Sequence, residues 1–228
     1  MKALKELLSE LTFICERGNL EKEVTAVVYD SRKIIEGCLF VCIKGANFDG
    51  HQAAAEAVEK KAAAIIVSKE VELPEQTETT LIREDTRYAL AFVSAAWFDH
   101  PAKKLTTIGI TGTKGKTTTT YLVKSILENA GRKVGLVGTI EIIIGDTHIH
   151  AVNTTPESYL LQEYFAKMVE SGCDTVVMEV SSQALMLHRT QGFVFDFGIF
   201  TNLEPDHIGP NEHGSFEEYA HCKSLLFQ

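Results

Sequence analysis

The sequence predicts an α/β protein in two parts: a small N-terminal α/β domain over residues 1–101, then a domain with a mostly parallel sheet and a phosphate-binding loop over 102–228. Two observations predict it. Short apolar runs rich in β-branched residues alternate with helical patterns, the rhythm of strands joined by helical crossovers. That rhythm stops at "DHPAKKL" (99–105), a linker with Pro101 and two lysines, and restarts on a strand, a glycine-rich turn and a helix.

In the first part, "VTAVVYD" (24–30), "CLFVCI" (38–43) and "AAIIVS" (63–68) are strand-like, whereas "HQAAAEAVEKKA" (51–62) and "TRYALAFVSAAWF" (86–98) are helical. In the second, "LTTIGI" (105–110) is a strand that runs into the loop, and "TTTTYLVKSILENAG" (117–131) is a helix closed by Gly131. "KVGLVGTI" (133–140) is another strand, and "EIIIGDTHIHAV" (141–152) is a hairpin turning at Gly145-Asp146. "TPESYLLQEYFAKMVESG" (155–172) is a helix with Pro156 just inside a threonine cap. "CDTVVMEVSS" (173–182) and "FDFGIFTNL" (195–203) are apolar enough for buried parallel strands.

Composition excludes several functions. Lys plus Arg is 22 against 31 Asp plus Glu, a net charge of −9, which argues against a nonspecific nucleic-acid or anionic-membrane surface. No apolar run reaches membrane-spanning length and no N-terminal signal pattern is present, so a cytoplasmic protein is expected. Cys15, Cys38, Cys42, Cys173 and Cys222 are odd in number and lack a CxxC, which predicts reduced, mostly buried thiols. His207, His213 and His221 beside Cys222 lack zinc-finger spacing.

"TGTKGKTTTT" (111–120) carries the chemistry. A strand, a glycine-rich turn and a helix bring backbone N–H groups and the positive helix end to one point, which suits a phosphate. Lys116 adds a charge for terminal phosphates and Thr117 a hydroxyl for Mg²⁺. Ile110 stands where the longer G-x-x-x-x-G-K-[ST] form has glycine, so the loop has the shorter G-T-x-G-K-T form. The hydroxyls of residues 118–120 are expected to bond first-turn backbone or pack on the sheet. Mg²⁺ needs further oxygen ligands, and Glu179, ending the strand "TVVMEV", supplies a carboxylate at the sheet edge where α/β proteins bind ligands.

Six segments, in order, extend the pattern: "DSRKIIEGCLFVCIKGANFDGH" (30–51), "GITGTKGKTTT" (109–119), "NTTPES" (153–158), "MEVSSQALMLHR" (178–189), "FTNLEPDHI" (200–208) and "HGSFEEYAHCKSLLF" (213–227). Together they resemble the ATP-dependent Mur ligases, which build the peptide of bacterial cell-wall precursors, and within them the tripeptide-synthetase branch. The resemblance implies that ATP binds at Gly112, Thr113, Lys114, Gly115, Lys116, Thr117 and Thr118. It implies a UDP site at Ser31 and the turn Ala46-Asn47-Phe48. Thr154, Thr155, Ser181 and Arg189 are then expected to meet the UDP-N-acetylmuramoyl-dipeptide and its reacting carboxylate, an arginine fork being suited to that group. Two Mg²⁺ ions are implied, held by Thr117, Glu179, His207 and Lys223, with Lys223 carbamylated, because a protonated amine repels a cation. By the residues alone, Lys223 reads as an ordinary solvated lysine on the helix "FEEYAHCKSLL".

The implied reaction activates a D-glutamyl carboxylate as an acyl phosphate, which an amino-acid amine then attacks. Lys116, His207 and Lys223 serve that chemistry without a protein nucleophile. The resemblance implies meso-diaminopimelate or L-lysine as the amino acid and a monomeric enzyme. Three departures stand out: Lys114 where asparagine is common, Gln183 where histidine is frequent, and a long "DHIGPNEHG" (206–214). The chain also stops short of the family's C-terminal domain, so it is expected to be inactive alone. A P-loop kinase or GTPase, or a non-catalytic nucleotide-sugar module, are the competing expectations.

Overall fold

The computed structural model describes residues 1–74, 77–206, 208–209 and 212–228, and the chain divides into two compact units, Met1–Asp99 and His100–Gln228. That division falls two residues ahead of the boundary expected after residue 101, and Asp99 and His100 on either side of it both have positive φ.

In the first unit the elements run β1 (Lys2–Ala3), α1 (Leu4–Leu7), β2 (Ile14–Arg17), β3 (Glu23–Val24), β4 (Val27–Val28), β5 (Leu39–Val41), α2 (Ala54–Glu59), β6 (Ala64–Val67), β7 (Thr80–Arg83) and α3 (Thr86–Trp97). Five strands form one sheet in the order β2-β7-β6-β5-β4, with β4 to β7 parallel and β2 antiparallel at one edge. The strands β5 and β6 are wholly buried, which is why their sequences lack polar alternation. Asp85 starts α3 by accepting from the amides of Arg87 and Tyr88 at 2.9 and 2.8 Å.

The second unit contains β8 (Thr106–Thr111), α4 (Lys116–Asn129), β9 (Val134–Val137), β10 (Glu141–Ile144), β11 (Thr147–His150), α5 (Ser158–Glu170), β12 (Thr175–Glu179), α6 (Ser182–Met186), β13 (Phe197–Phe200) and α7 (Phe216–Ser224). Its sheet has the order β11-β10-β9-β12-β8-β13. The four strands β9, β12, β8 and β13 are parallel, and the β10-β11 hairpin, turning at Gly145-Asp146, adds an antiparallel edge. Alternation divides β12 between the two faces: Val176 and Met178 pack with Leu161, Phe165 and Met168 of α5, whereas Val177 packs with Ile108, Ile110 and Val134 under Val123 and Leu127 of α4. By the same alternation Glu179 falls on the α4 face.

Two expectations need correction. Pro156 does not open α5, which starts at Ser158. Thr155 cannot cap it, because its hydroxyl donates to the Glu179 carbonyl at 2.9 Å and accepts from the Ser181 amide at 3.1 Å. The strand β13 is parallel but not buried: Phe197 and Phe200 are 59% and 47% exposed, since β13 is the sheet's outer strand. The five cysteines are free thiols and only Cys15 is exposed. Among the described residues no helix is long and apolar enough to cross a membrane.

Phe165 is fully buried and meets Phe193 edge-on at 5.2 Å. Replacing it with alanine should cost about 3–5 kcal/mol in urea unfolding. Leu122→Ala, on the exposed side of α4, should change stability by less than about 0.5 kcal/mol.

Candidate functional site

The strands β8, β9, β12 and β13 run parallel, so the segments that leave them, 112–115, 138–140, 180–182 and 201–204, collect at one edge of the sheet. This is where an open α/β sheet binds ligands. The loop after β8 is held there by the segment after β13. Asn202 copies a strand partner: its side-chain oxygen accepts the Lys114 amide at 2.9 Å and its NH₂ donates to the Lys114 carbonyl at 3.0 Å. The Thr113 amide donates to the Asn202 carbonyl at 3.0 Å, and Thr201 Oγ1 donates to the Lys114 carbonyl at 2.8 Å.

Two glycines make the loop possible. Gly112 has φ +145°, and a Cβ there would run into the Thr201 hydroxyl. Gly115 has φ +82° with open space around it, and it begins α4 without a side-chain cap. An uncapped helix start presents its first-turn amides to an anion. Lys116 folds back over the loop, donating to the carbonyls of Gly112 and Thr113 at 2.9 and 3.1 Å. Lys114 instead points to Glu204, at 2.5 Å in an exposed pair that raises the lysine's pKa. Of the threonine row, Thr118 is exposed and Thr120 donates to the Lys116 carbonyl at 2.8 Å.

Glu179 is 1% exposed. Its Oε2 accepts from Thr117 Oγ1 at 2.9 Å and Thr139 Oγ1 at 3.1 Å, and its Oε1 accepts the Thr139 amide at 2.9 Å. It has no ion-pair partner among the described residues. A buried carboxylate with only neutral donors is costly unless a cation completes it, and the paired Thr117 hydroxyl and Glu179 carboxylate are oxygen donors of the kind Mg²⁺ takes. The residues present therefore fit a hard divalent cation here. His207 lies outside the described residues.

Beside the loop a cleft of about 300 Å³ is lined by Lys116, Asn153, Thr154, Thr155, Ser181, Ser182, Gln183, Met186, Arg189, Glu212, His213 and Lys223. It gathers Thr154, Thr155, Ser181, Arg189 and Lys223, which the sequence spreads over 70 positions, onto Lys116. Ser181 caps α6 through the Ala184 amide at 3.1 Å. Arg189 pairs with Glu157 at 2.7 Å and donates to the Thr155 carbonyl at 3.1 Å, while its buried Nε has no partner among the described residues. His213 Nε2 lies 2.8 Å from Ser182 Oγ, a buried contact that the sequence did not disclose.

The helix α7 braces the loop from below. Ser215 accepts the Glu218 amide at 3.2 Å and Glu218 reaches back to the Gly214 amide at 2.5 Å, a reciprocal cap that fixes the helix start. Tyr219 and Lys223, one turn apart and buried, then face the same way: the Tyr219 hydroxyl donates to Thr113 Oγ1 at 3.0 Å and Lys223 Nζ to the Gly112 carbonyl at 2.8 Å. The i, i+4 spacing in "YAHCK" was the available signal for Tyr219. Burial, then the neighbouring Lys116 charge, lowers the Lys223 pKa to about 8, and burial also lowers that of Lys116. Lys223 is thus not a solvated lysine.

In the first unit, Ser31 opens a short 3₁₀ turn after β4, capped by Asp30, and Ala46, Asn47 and Phe48 form an exposed turn after β5. The strands β4 and β5 are parallel neighbours, so both segments lie at the same sheet edge.

A family profile described as "Mur ligase middle domain" matches residues 110–228, and one described as "Mur ligase family, catalytic domain" matches 23–98. The chain is 47% identical over 225 residues to the UDP-N-acetylmuramoyl-L-alanyl-D-glutamate–2,6-diaminopimelate ligase of Clostridium perfringens, covering 99% of this chain and 46% of that protein. It is 48% identical over 210 residues to the like-named ligase of Bacillus licheniformis, covering 92% and 42%. The chain therefore spans less than half the length of these relatives. A solved structure of a ligase of that name superposes with a TM-score of 0.80 at 23% identity over 100% of this chain and 45% of its own. The MurF ligase of Thermotoga maritima in complex with ADP gives 0.55 at 23% identity, over 88% and 42%.

The two loop glycines should respond differently to alanine. Gly112→Ala, strained and obstructed, should lose about 2–4 kcal/mol in urea unfolding, whereas Gly115→Ala, strained in open space, should lose about 1 kcal/mol. Lys223 has a folded pKa near 8, below its unfolded value, so the unfolded chain binds more protons between about pH 8 and 10.5. Stability from this group is then lowest below pH 8 and rises through that window. Lys223→Met in CO₂-free buffer should gain on the order of 2 kcal/mol at pH 7, after loss of one hydrogen bond, and the gain should shrink to nothing by pH 10.5.

Proposed function

Because the chain belongs to the Mur ligase family, we propose that it is the nucleotide-binding half of an ATP-dependent ligase that joins an amino acid to UDP-N-acetylmuramoyl-L-alanyl-D-glutamate. One observation carries the reading: a phosphate loop, a buried carboxylate that accepts only from neutral donors among the described residues, and a cleft lined by Lys116, Arg189 and Lys223 share one sheet edge. The names of the relatives favour diaminopimelate as the amino acid over lysine. A generic P-loop kinase or GTPase gives no account of the match over residues 110–228.

In this reading the first-turn amides of α4 and Lys116 hold the β- and γ-phosphates. Thr117 and Glu179 would hold Mg²⁺, which when bound neutralises phosphate charge. Arg189, with the hydroxyls of Thr154 and Ser181 lining the same cleft, orients the D-glutamyl carboxylate toward the γ-phosphorus. The carboxylate oxygen takes the phosphoryl group, ADP leaves, and the amine then displaces phosphate from the acyl phosphate. At the other end, Ser31 and Ala46–Phe48 hold the uridine diphosphate.

Lys223, as an amine, is a poor ligand for a hard cation. With a pKa near 8 it has an appreciable neutral fraction at physiological pH, and a neutral amine adds CO₂ to become a carbamate anion. The carbamate would supply an anionic oxygen donor, and His207 a neutral nitrogen donor, for a second Mg²⁺.

Calorimetry with UDP and with Mg-ATP tests the reading. Both should bind the chain, and Glu179→Gln should weaken Mg-ATP at least tenfold while leaving UDP unaffected. UDP binding without any Mg-ATP binding would instead mark a nucleotide-sugar module. In ¹³C-bicarbonate, the wild-type chain should give a carbamate ¹³C resonance that Lys223→Ala removes; a spectrum without that signal rejects carbamylation of the chain.

A further inference from the structure

We propose that His51 is a positioning residue for the nucleotide end of the substrate, holding the exposed Ala46–Phe48 turn in its binding shape. The proposal rests on the reading of that turn as part of the UDP site. His51 is 7% exposed, and both of its ring nitrogens are engaged. Nε2 accepts the Ser68 backbone amide at 3.0 Å. An amide N–H can only donate, so Nε2 carries no proton and the ring hydrogen sits on Nδ1, 2.6 Å from Asp49 Oδ1. The imidazole is a neutral link with a donor at one end and an acceptor at the other.

What it links is the base of the turn. Asp49 also accepts the His51 amide at 3.1 Å and Lys69 Nζ at 2.7 Å, and these donors, Lys69 foremost, hold its carboxyl well below the usual range. Asp49 bridges antiparallel to Lys44 across the turn, the Gly45 amide donates to the Phe48 carbonyl at 2.9 Å, and the Gly50 amide to the Ile43 carbonyl at 2.9 Å. The stem is therefore closed, and among the described residues its one buried side-chain tie to the end of β6 is the imidazole. Lys69, 58% exposed, is a weaker, solvent-screened second tie. The tip above the stem carries Phe48, 49% exposed, a flat apolar face available to a base or sugar.

Ser68 Oγ also lies 3.2 Å from Nε2, so Ser68, His51 and Asp49 have the outline of a nucleophilic triad. The outline does not function as one. Nε2 has a single lone pair, the Ser68 amide occupies it at the shorter distance, and no base remains to activate the hydroxyl.

Glutamine can supply both a donor and an acceptor, and leucine neither. Calorimetry with UDP on the 228-residue chain should find binding at least tenfold weaker in His51→Leu, within threefold of wild type in His51→Gln, and within twofold in Ser68→Ala, which keeps the amide. Mg-ATP affinity should be the same in all. Wild-type-like UDP binding by His51→Leu, or a His51→Gln as weak as His51→Leu, overturns the proposal. A wild-type chain that binds no UDP overturns the underlying reading of the turn instead. ¹⁵N NMR of the wild-type ring, which needs no variant to fold, should report the Nδ1–H tautomer; an Nε2–H tautomer also overturns it.

Discussion

The parallel register of β12 on β8, with Glu179 level with Ile110, is the constraint on which the candidate site depends. Side chains alternate along a strand, so a slip of one residue would carry Glu179 to the α5 face and put a carboxylate among Leu161, Phe165 and Met168. The apolar neighbours enforce the register. Val176 and Met178 belong to one core and Val177 to the other, and only one pairing satisfies both. With that register set, Glu179 meets the first turn of α4 and the start of the loop after β9, and its three neutral donors hold it aimed at the phosphate loop.

The loop is shaped less by its own residues than by what presses on it. Asn202 and Thr201 engage its backbone from β13, and Tyr219 and Lys223 engage it from α7. The Thr113 and Lys114 amides are committed to these internal bonds. The anion site is thereby moved to the helix start, where Gly115 leaves the first-turn amides uncapped. Loop and brace are joined by these hydrogen bonds, which fix the backbone around the helix start.

Electrostatics reinforce this. The chain carries a net charge of −9, yet its cleft concentrates Lys116, Arg189 and Lys223 against Glu212. Burial lowers the pKa of both lysines, and the Lys116 charge lowers that of Lys223 further, so the two charges work against the stability of the fold. An anionic ligand would relieve that repulsion and stabilise the folded state by binding it. The positive charge gathered in this cleft is thus local, on an otherwise acidic chain.

The sequence by itself determined the α/β alternation, the β10-β11 hairpin, the phosphate loop and the candidacy of Glu179, because each is written in neighbouring residues: a period, a turn pair, a glycine spacing, a polar residue ending an apolar run. It named Arg189 and Lys223 only through resemblance. It misjudged Pro156 and the burial of β13, and it passed over Tyr219, Asn202 and the His51 link. Those depend on partners far along the chain: Thr155 is withheld from capping α5 by the end of β12, β13 is exposed by its place at the sheet's edge, and Tyr219 meets Thr113 across 106 positions. Only the tertiary structure decided them, because a hydrogen-bonding group has one set of lone pairs and donors, and which neighbour claims them is settled by packing.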